Sequence, residues 1–404
     1  MQDGYEQSHK DPQRPGAHKN ALSGYAFRWN AVGTGNMKYK KLGATDVSVS
    51  AIGQGTGLDE LYLKGTVDAQ EYVRLLRRGF DLGMNLVDTA EVYEDGHSEE
   101  LIGKAASGIR DKVIIATKFS PEHADKNGII RALEGSLRRL KTDYIDLYQA
   151  HWSNPRIPAQ ETVSAMERLI ADGKVRHIGL CNFSISEFRM AQDALSNAAF
   201  VSMQQEYNIH ERSAEESLIP FCHEHSITLV AYTPLAKGRL ATAGKSCATL
   251  ADMAEKYSVT SAQLVLNWLV RDPRVVAIPR ATREDHLTEN ANALEISIEQ
   301  DDLERLSELF RPQITYLPTD QLCIVDDGSG PVYTTLEDAI ANKLGMTPGP
   351  VELSKQINTG EFLKPVKVRF DSATGKYRVI DGKSRYWAWV IATSGKKPIP
   401  ARIE

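Results

Sequence analysis

The chain has little cysteine, no long apolar run and no excess of positive charge. Its four cysteines, Cys181, Cys222, Cys247 and Cys323, are scattered over 404 residues, and none forms a Cys-x-x-Cys pair. That spacing predicts neither a zinc site nor a disulfide framework. No stretch reaches the roughly 18 consecutive apolar residues of a membrane span, and the N-terminus lacks the apolar core of a signal peptide. The net charge of −5 gives no basis for nucleic-acid or membrane-surface binding. A Gly-x-Gly-x-x-Gly turn is missing too: Gly53-Gln-Gly55 lacks the third glycine, which weakens an open dinucleotide-binding sheet. With 42% hydrophobic and 25% charged residues, the composition is that of an ordinary globular protein. A cytoplasmic location is expected.

What is present is a repeat. Residues 1–36 are polar and aperiodic and read as a flexible extension. Lys38 to Ser50 alternates around Gly43, like a hairpin able to plug one end of a barrel. From there, short apolar segments alternate with amphipathic ones. Strands are expected at Val49–Gly53, Asn85–Asp88, Val113–Thr117, Tyr144–Gln149, Arg176–Leu180, Val201–Gln204, Thr228–Tyr232 and Val275–Ile278. Helical patterns lie between and after them. Eight such units in about 250 residues predict an α/β fold, a closed (β/α)8 TIM barrel over residues 37–311. Residues 312–327 read as a proline-containing linker. Residues 328–404 then form a small α+β domain, with a helix over Leu336–Leu344, strands at Val366–Phe370 and Tyr377–Ile380, a helix over Ser384–Thr393 and a strand at Ile399–Ile403.

Barrel enzymes build their sites at the C-terminal ends of the strands. That rule gathers Asp88 and Tyr93 after the second strand, Lys118 at the third and His151 at the fourth. Alone, such an Asp is usually a cap, and such a Lys is usually solvated. Together the four make a proton-transfer site. A tyrosine, ordinarily titrating near pH 10, is drawn toward the phenolate by an adjacent ammonium. Lys118 supplies it, Asp88 holds Lys118, His151 hydrogen-bonds a substrate oxygen, and Tyr93 delivers the proton.

The stretches Leu86-Val-Asp-Thr-Ala-Glu-Val-Tyr93, Ile115-Ala-Thr-Lys118, Asp146-Leu-Tyr-Gln-Ala-His151, Ile178-Gly-Leu-Cys-Asn-Phe183 and Ala231-Tyr-Thr-Pro-Leu-Ala-Lys-Gly238 resemble the motifs of the aldo-keto reductases. The resemblance covers about two-thirds of the chain. It implies a catalytic tetrad of Asp88, Tyr93, Lys118 and His151, with Tyr93 as general acid in hydride transfer to an aldehyde or ketone. It also implies a nicotinamide cofactor. Cys181, Asn182 and Gln204 would hold the carboxamide, with Cys181 standing where the family carries Ser. Tyr232 would stack on the ring, while Thr233, Pro234, Leu235, Lys237 and Gly238 would follow the pyrophosphate; Gly55 and Thr56, after the first strand, are further cofactor-binding candidates. On the adenosine side the resemblance implies Pro279, Arg280, Thr282, Arg283, His286, Glu289 and Asn290. Arg280 and Arg283 favour NADPH, with NADH left open because His286 stands where many members carry an arginine. Trp152 and Tyr62 are the substrate candidates, and a sugar or a secondary-metabolite intermediate would fit as well as a simple carbonyl.

Near the C-terminus, Tyr377-Arg-Val-Ile-Asp-Gly-Lys-Ser-Arg-Tyr-Trp-Ala-Trp389 reads as strand, glycine turn and helix. It resembles the ParB/sulfiredoxin-like fold, which implies phosphate or nucleotide binding at Gly382, Lys383 and Arg385. Two other readings stand beside the reductase: a cofactor-binding regulatory subunit with little turnover, and a bifunctional protein whose C-terminal domain binds a nucleotide.

Overall fold

Short apolar segments and capped helices set the architecture. The computed structural model describes residues 37–57, 68–154, 156–241, 245–311, 313–326, 332–346, 348–358 and 364–404. The expected N-terminal extension and Tyr62 lie outside the described residues. A hairpin comes first, β1 (Tyr39–Lys41) and β2 (Ser48–Ser50), paired antiparallel. Then follow β3 (Gln54–Gly55), β4 (Leu86–Asp88), β5 (Ile114–Phe119), β6 (Ile145–Ala150), β7 (Val175–Cys181), β8 (Phe200–Glu206), β9 (Thr228–Tyr232) and β10 (Val275–Ala277). Each of these eight pairs in parallel with the next.

The two ends of the sheet meet. Ile52 bridges Ala277 in parallel, and the Gly53 and Gly55 amides donate to the carbonyls of Ala277 (2.8 Å) and Pro279 (3.1 Å). The barrel is therefore closed, and closure removes both sheet edges. Gly55 is required here: a Cβ on it would come within 2.6 Å of the Ile278 carbonyl oxygen.

The first barrel strand lies later than the sequence pattern places it. Val49–Gly53 was the expected span, but Ser48–Ser50 belongs to the hairpin. Asn85 explains the difference. Its side chain accepts from the Ser50 amide (2.7 Å) and donates to the Ser48 carbonyl (2.9 Å), satisfying the β2 backbone without a barrel partner.

Helices cover the outside. The first, Ala69–Asp81, starts where Asp68 accepts from the Glu71 amide (2.8 Å), and it buries Tyr72, Leu75, Leu76 and Phe80. Two barrel-side helices that the sequence pattern leaves unmarked are Lys245–Lys256 and Gln300–Leu309. The barrel interior is filled by Leu86, Ile114, Leu147, Val201, Val230 and Val276, joined from the hairpin by Leu42 and Val49. The hairpin thus plugs the end where the strands begin. Thr228 of β9 accepts from the Gly43 amide (2.7 Å) and donates to the Lys41 carbonyl (3.0 Å).

The C-terminal part has its own core and its own sheet. β11 (Thr315–Leu317), β12 (Leu322–Cys323), β13 (Val366–Asp371), β14 (Lys376–Asp381) and β15 (Ile399–Ile403) form a mixed sheet in the order β11-β15-β13-β14-β12. The stretch expected to be a linker, 312–327, supplies β11 and β12. These strands have only three and two residues, too few to show an alternating period. Helix Lys383–Thr393 buries Tyr386, Trp387 and Ala388 against the sheet. The expected helix Leu336–Leu344 ends at Ile340, because Asn342 turns to positive φ and ties its side chain to Tyr333 and Met346. Helix Pro350–Asn358 is an addition to the sequence reading.

Candidate active site

Asp88 closes β4, Lys118 lies near the end of β5, and His151 follows β6 directly. Parallel pairing brings these three strand ends to one mouth. Tyr93 opens a short turn, Tyr93–Gly96, held by Glu94 and Asp95 in left-handed conformations. Lys118 Nζ donates to Asp88 Oδ1 (2.6 Å) and to the Thr89 carbonyl (2.7 Å). Asp88 Oδ2 accepts from Gln204 Nε2 (2.8 Å). The Lys118 ammonium lies 5.1 Å from the centre of the Tyr93 ring, and the Tyr93 and His151 rings are 5.8 Å apart, edge to face. All four expected catalytic residues are brought together.

The electrostatics correct one expectation. The Tyr93 phenol is not drawn down to the phenolate; its pKa is raised. Burial pushes it up, and the pull of Lys118 does not overcome that. Tyr93 therefore keeps its proton. His151 is held down to about 2 by burial and by the Lys118 charge, so the imidazole is neutral. Its Nδ1 is buried with no hydrogen-bond partner. Burial alone would lower Lys118, but Asp88 outweighs it and the ammonium is held charged.

The cofactor-side residues cluster beside the tetrad. Asn182 has φ +60, which turns its amide inward. It donates to the His151 carbonyl (3.1 Å) and to Cys181 Sγ (3.2 Å), and its Oδ1 accepts from the Tyr232 hydroxyl (2.9 Å). Cys181 donates to Gln204 Oε1 at 3.7 Å, and burial pushes its thiol up to about 12. Spare lone pairs on Asn182 Oδ1 and Gln204 Oε1, and one spare N–H on Gln204, remain for a planar amide such as a nicotinamide carboxamide. These residues fit that group. Gly57 contributes room: a Cβ there would stand 3.6 Å from the Tyr93 ring.

Thr56 is committed elsewhere, donating to the Asp88 carbonyl (2.9 Å) and meeting Ser98 Oγ at 2.7 Å. Thr233, Pro234, Leu235, Lys237 and Gly238 form the loop after β9, with Thr233, Lys237 and Gly238 at positive φ. Pro279 is buried below Gly55. Arg280 donates to the Gly57 carbonyl (2.6 Å), tying the last strand to the loop after the first. Thr282 and Arg283 precede helix Glu284–Asn292 and His286, Glu289 and Asn290 lie on it; Arg283 pairs with Asp285 at its start. Trp152 stacks on His151 at 3.7 Å between ring centres. Support that the sequence reading missed comes from Glu99, buried and accepting from Thr117 Oγ1 and Arg139 Nε, each at 2.6 Å.

Arg385 of the expected C-terminal phosphate site is engaged within the domain. Arg385 donates to the carbonyls of Lys364 (2.8 Å) and Pro365 (3.0 Å) and to the Asp381 carboxylate (3.0 Å). Its guanidinium is a structural tie, and a phosphate there would meet the Asp381 carboxylate. Gly382 caps the following helix in a left-handed conformation.

The sequence profile of the Aldo/keto reductase family matches residues 51–311. The chain belongs to this family. Methylglyoxal reductase YeaE of Escherichia coli is 37% identical to it over 269 residues, covering 66% of this chain and 92% of that protein. An aldo-keto reductase of Klebsiella pneumoniae, whose crystal structure contains NADPH, is 38% identical with a TM-score of 0.63, covering 69% of this chain and 96% of that one. A thermostable aldo-keto reductase crystallised with the inhibitor epalrestat is also 38% identical, with a TM-score of 0.62 over 68% of this chain and 100% of that one. The family match ends at residue 311, before the C-terminal sheet begins. Among the described residues, no helix is long and apolar enough to cross a membrane.

Proposed function

We propose that this aldo/keto reductase reduces small aldehydes or ketones with NADPH, and that Tyr93 is its general acid. The observation that carries the reading is the buried Lys118–Asp88 pair lying under a protonated Tyr93 and beside a neutral His151.

The cofactor supplies the hydride. The residues of the chain manage the oxygen. Neutral His151 hydrogen-bonds the carbonyl oxygen and orients it. As negative charge builds there, Tyr93 hands over its proton. The Lys118 ammonium then stabilises the phenolate left behind, in a site of low dielectric where that attraction is strong. Asp88 keeps Lys118 charged and fixed, and Gln204 holds the other Asp88 oxygen.

With the cofactor bound, Tyr232 would lie against the nicotinamide ring, and Asn182 with Gln204 would hold its carboxamide. Arg280 and Arg283 supply charge for a 2′-phosphate, with Arg283 leaving Asp285 to do so. Trp152 walls the substrate side. Methylglyoxal is the first substrate to try, because a relative of 37% identity carries that name. The test is NADPH oxidation by the full chain with methylglyoxal and a panel of aldehydes and ketones. Turnover with at least one member supports the proposal; tight NADPH binding with no turnover on any of them contradicts it.

A further inference from the structure

The C-terminal domain is seated on the catalytic end of the barrel. Gly345 lies beside Arg156, whose guanidinium would be 3.6 Å from a Cβ at that glycine, and Arg156 belongs to the loop that follows His151. The stronger attachment is to the loop after β8. Lys364 Nζ pairs with Glu206 at 3.2 Å. Arg402 of β15 donates to the His210 carbonyl and faces Glu211 at 3.8 Å.

That loop has a second side. Asn208, fully buried, accepts from the amides of His210 (3.0 Å) and Glu211 (2.9 Å) through its Oδ1. Its Nδ2 donates to the Thr233 carbonyl at 3.2 Å. The Tyr207 amide donates to the Tyr232 carbonyl at 3.4 Å. Thr233 sits at φ +53, a left-handed conformation that a β-branched residue holds only when its surroundings impose it. Asn208 supplies part of that constraint, and Asn208 in turn depends on the loop that Arg402 grips.

We infer that Arg402 is a positioning residue for the cofactor site: by gripping His210 and Glu211 it holds the loop whose Asn208 sets Thr233 and, beside it, Tyr232. The inference rests on the NADPH reading above. The seam between the two parts carries both polar and apolar groups. A cavity of about 360 Å³ runs along it, lined by Glu211, Arg212, Ser213, Arg311, Pro365 and Arg402. Among the described residues, the Lys364–Glu206 and Arg402–Glu211 ion pairs and the Arg402–His210 hydrogen bond tie the two parts at this point, so removing Arg402 loosens the loop. Glu211 supports this: burial would raise its pKa, but Lys364, Ser213 and Arg402 hold it lower. Without Arg402, the buried Glu211 carboxylate keeps less compensating positive charge beside it.

The test uses the full chain. NADPH affinity of the wild type, Arg402→Ala, Arg402→Lys, Asn208→Ala and the Arg402/Asn208 double variant is measured by protein fluorescence, alongside kcat at saturating NADPH and thermal melting. Arg402→Ala is expected to weaken NADPH binding about three- to thirty-fold, the range for residues that act through such a network. Its kcat at saturating cofactor stays unchanged, and Arg402→Lys recovers part of the affinity. The double variant is expected to bind no more weakly than Asn208→Ala alone, because the two act in series. Wild-type affinity in Arg402→Ala, or fully additive losses in the double variant, would overturn the inference. A wild type that binds no NADPH overturns the functional reading itself, and this inference with it.

Discussion

Lys118 Nζ donates to Asp88 Oδ1 across 2.6 Å, with both side chains withdrawn from solvent. Such a pair is costly to break, because the partner left behind is a buried, uncompensated charge. Asp88→Asn is expected to destabilise the barrel by about 3–5 kcal/mol, and Lys118→Met by a similar amount, measured by urea unfolding. The double variant Asp88→Asn/Lys118→Met is expected to recover much of the stability but none of the turnover. Because Lys118 is raised above its ordinary 10.5, the stability that the Lys118 proton contributes is present below that pH and fades as pH rises through the higher folded value.

His151 sets the opposite dependence. It titrates at about 2 when folded and near 6.5 when free. Below 6.5 the unfolded chain takes up a proton that the folded chain refuses. Stability from this group is therefore complete above pH 6.5 and is lost as pH falls toward 2, at up to about 1.4 kcal/mol per pH unit. His151→Gln is expected to flatten that acid limb in denaturation curves taken from pH 7 to 4. An unchanged slope would mean that His151 is not held neutral.

The clustering of Asp88, Tyr93, Lys118 and His151 was legible because Asp88, Lys118 and His151 lie at the ends of apolar segments, with Tyr93 in the turn after Asp88, and parallel pairing carries strand ends to one face. Less legible was everything that depends on distant backbone. The first barrel strand was placed too early because Asn85 satisfies β2 from a position far along the chain. Tyr93 was expected to shift down, since its neighbour Lys118 can be read from sequence while the burial that outweighs it cannot. Arg385 looked like an anion site because its carbonyl partners, Lys364 and Pro365, lie in the segment just before β13, far from it in sequence. The two strands at 315–317 and 322–323 are too short for any period to reveal.

Gly43 tests the plug at the far end of the barrel. It sits at φ +60, and a Cβ there would lie 2.6 Å from the Val201 carbonyl oxygen. Gly43→Ala is expected to cost about 1–3 kcal/mol, lowering the melting temperature by several degrees while leaving turnover per folded molecule intact. A variant that melts with the wild type would show that the hairpin contributes little to closing that end.

The central claim is that Tyr93 donates the proton, and Tyr93→Phe tests it most directly. Phenylalanine keeps the ring beside Gly57 and Lys118 and removes only the hydroxyl. NADPH oxidation is followed in a single turnover with saturating cofactor and carbonyl, and NADPH affinity is measured separately by fluorescence. The predicted result is a fall of about two orders of magnitude or more in the reduction rate, with NADPH affinity retained. A reduction rate equal to that of the wild type would contradict the account and move the proton donor elsewhere in the site.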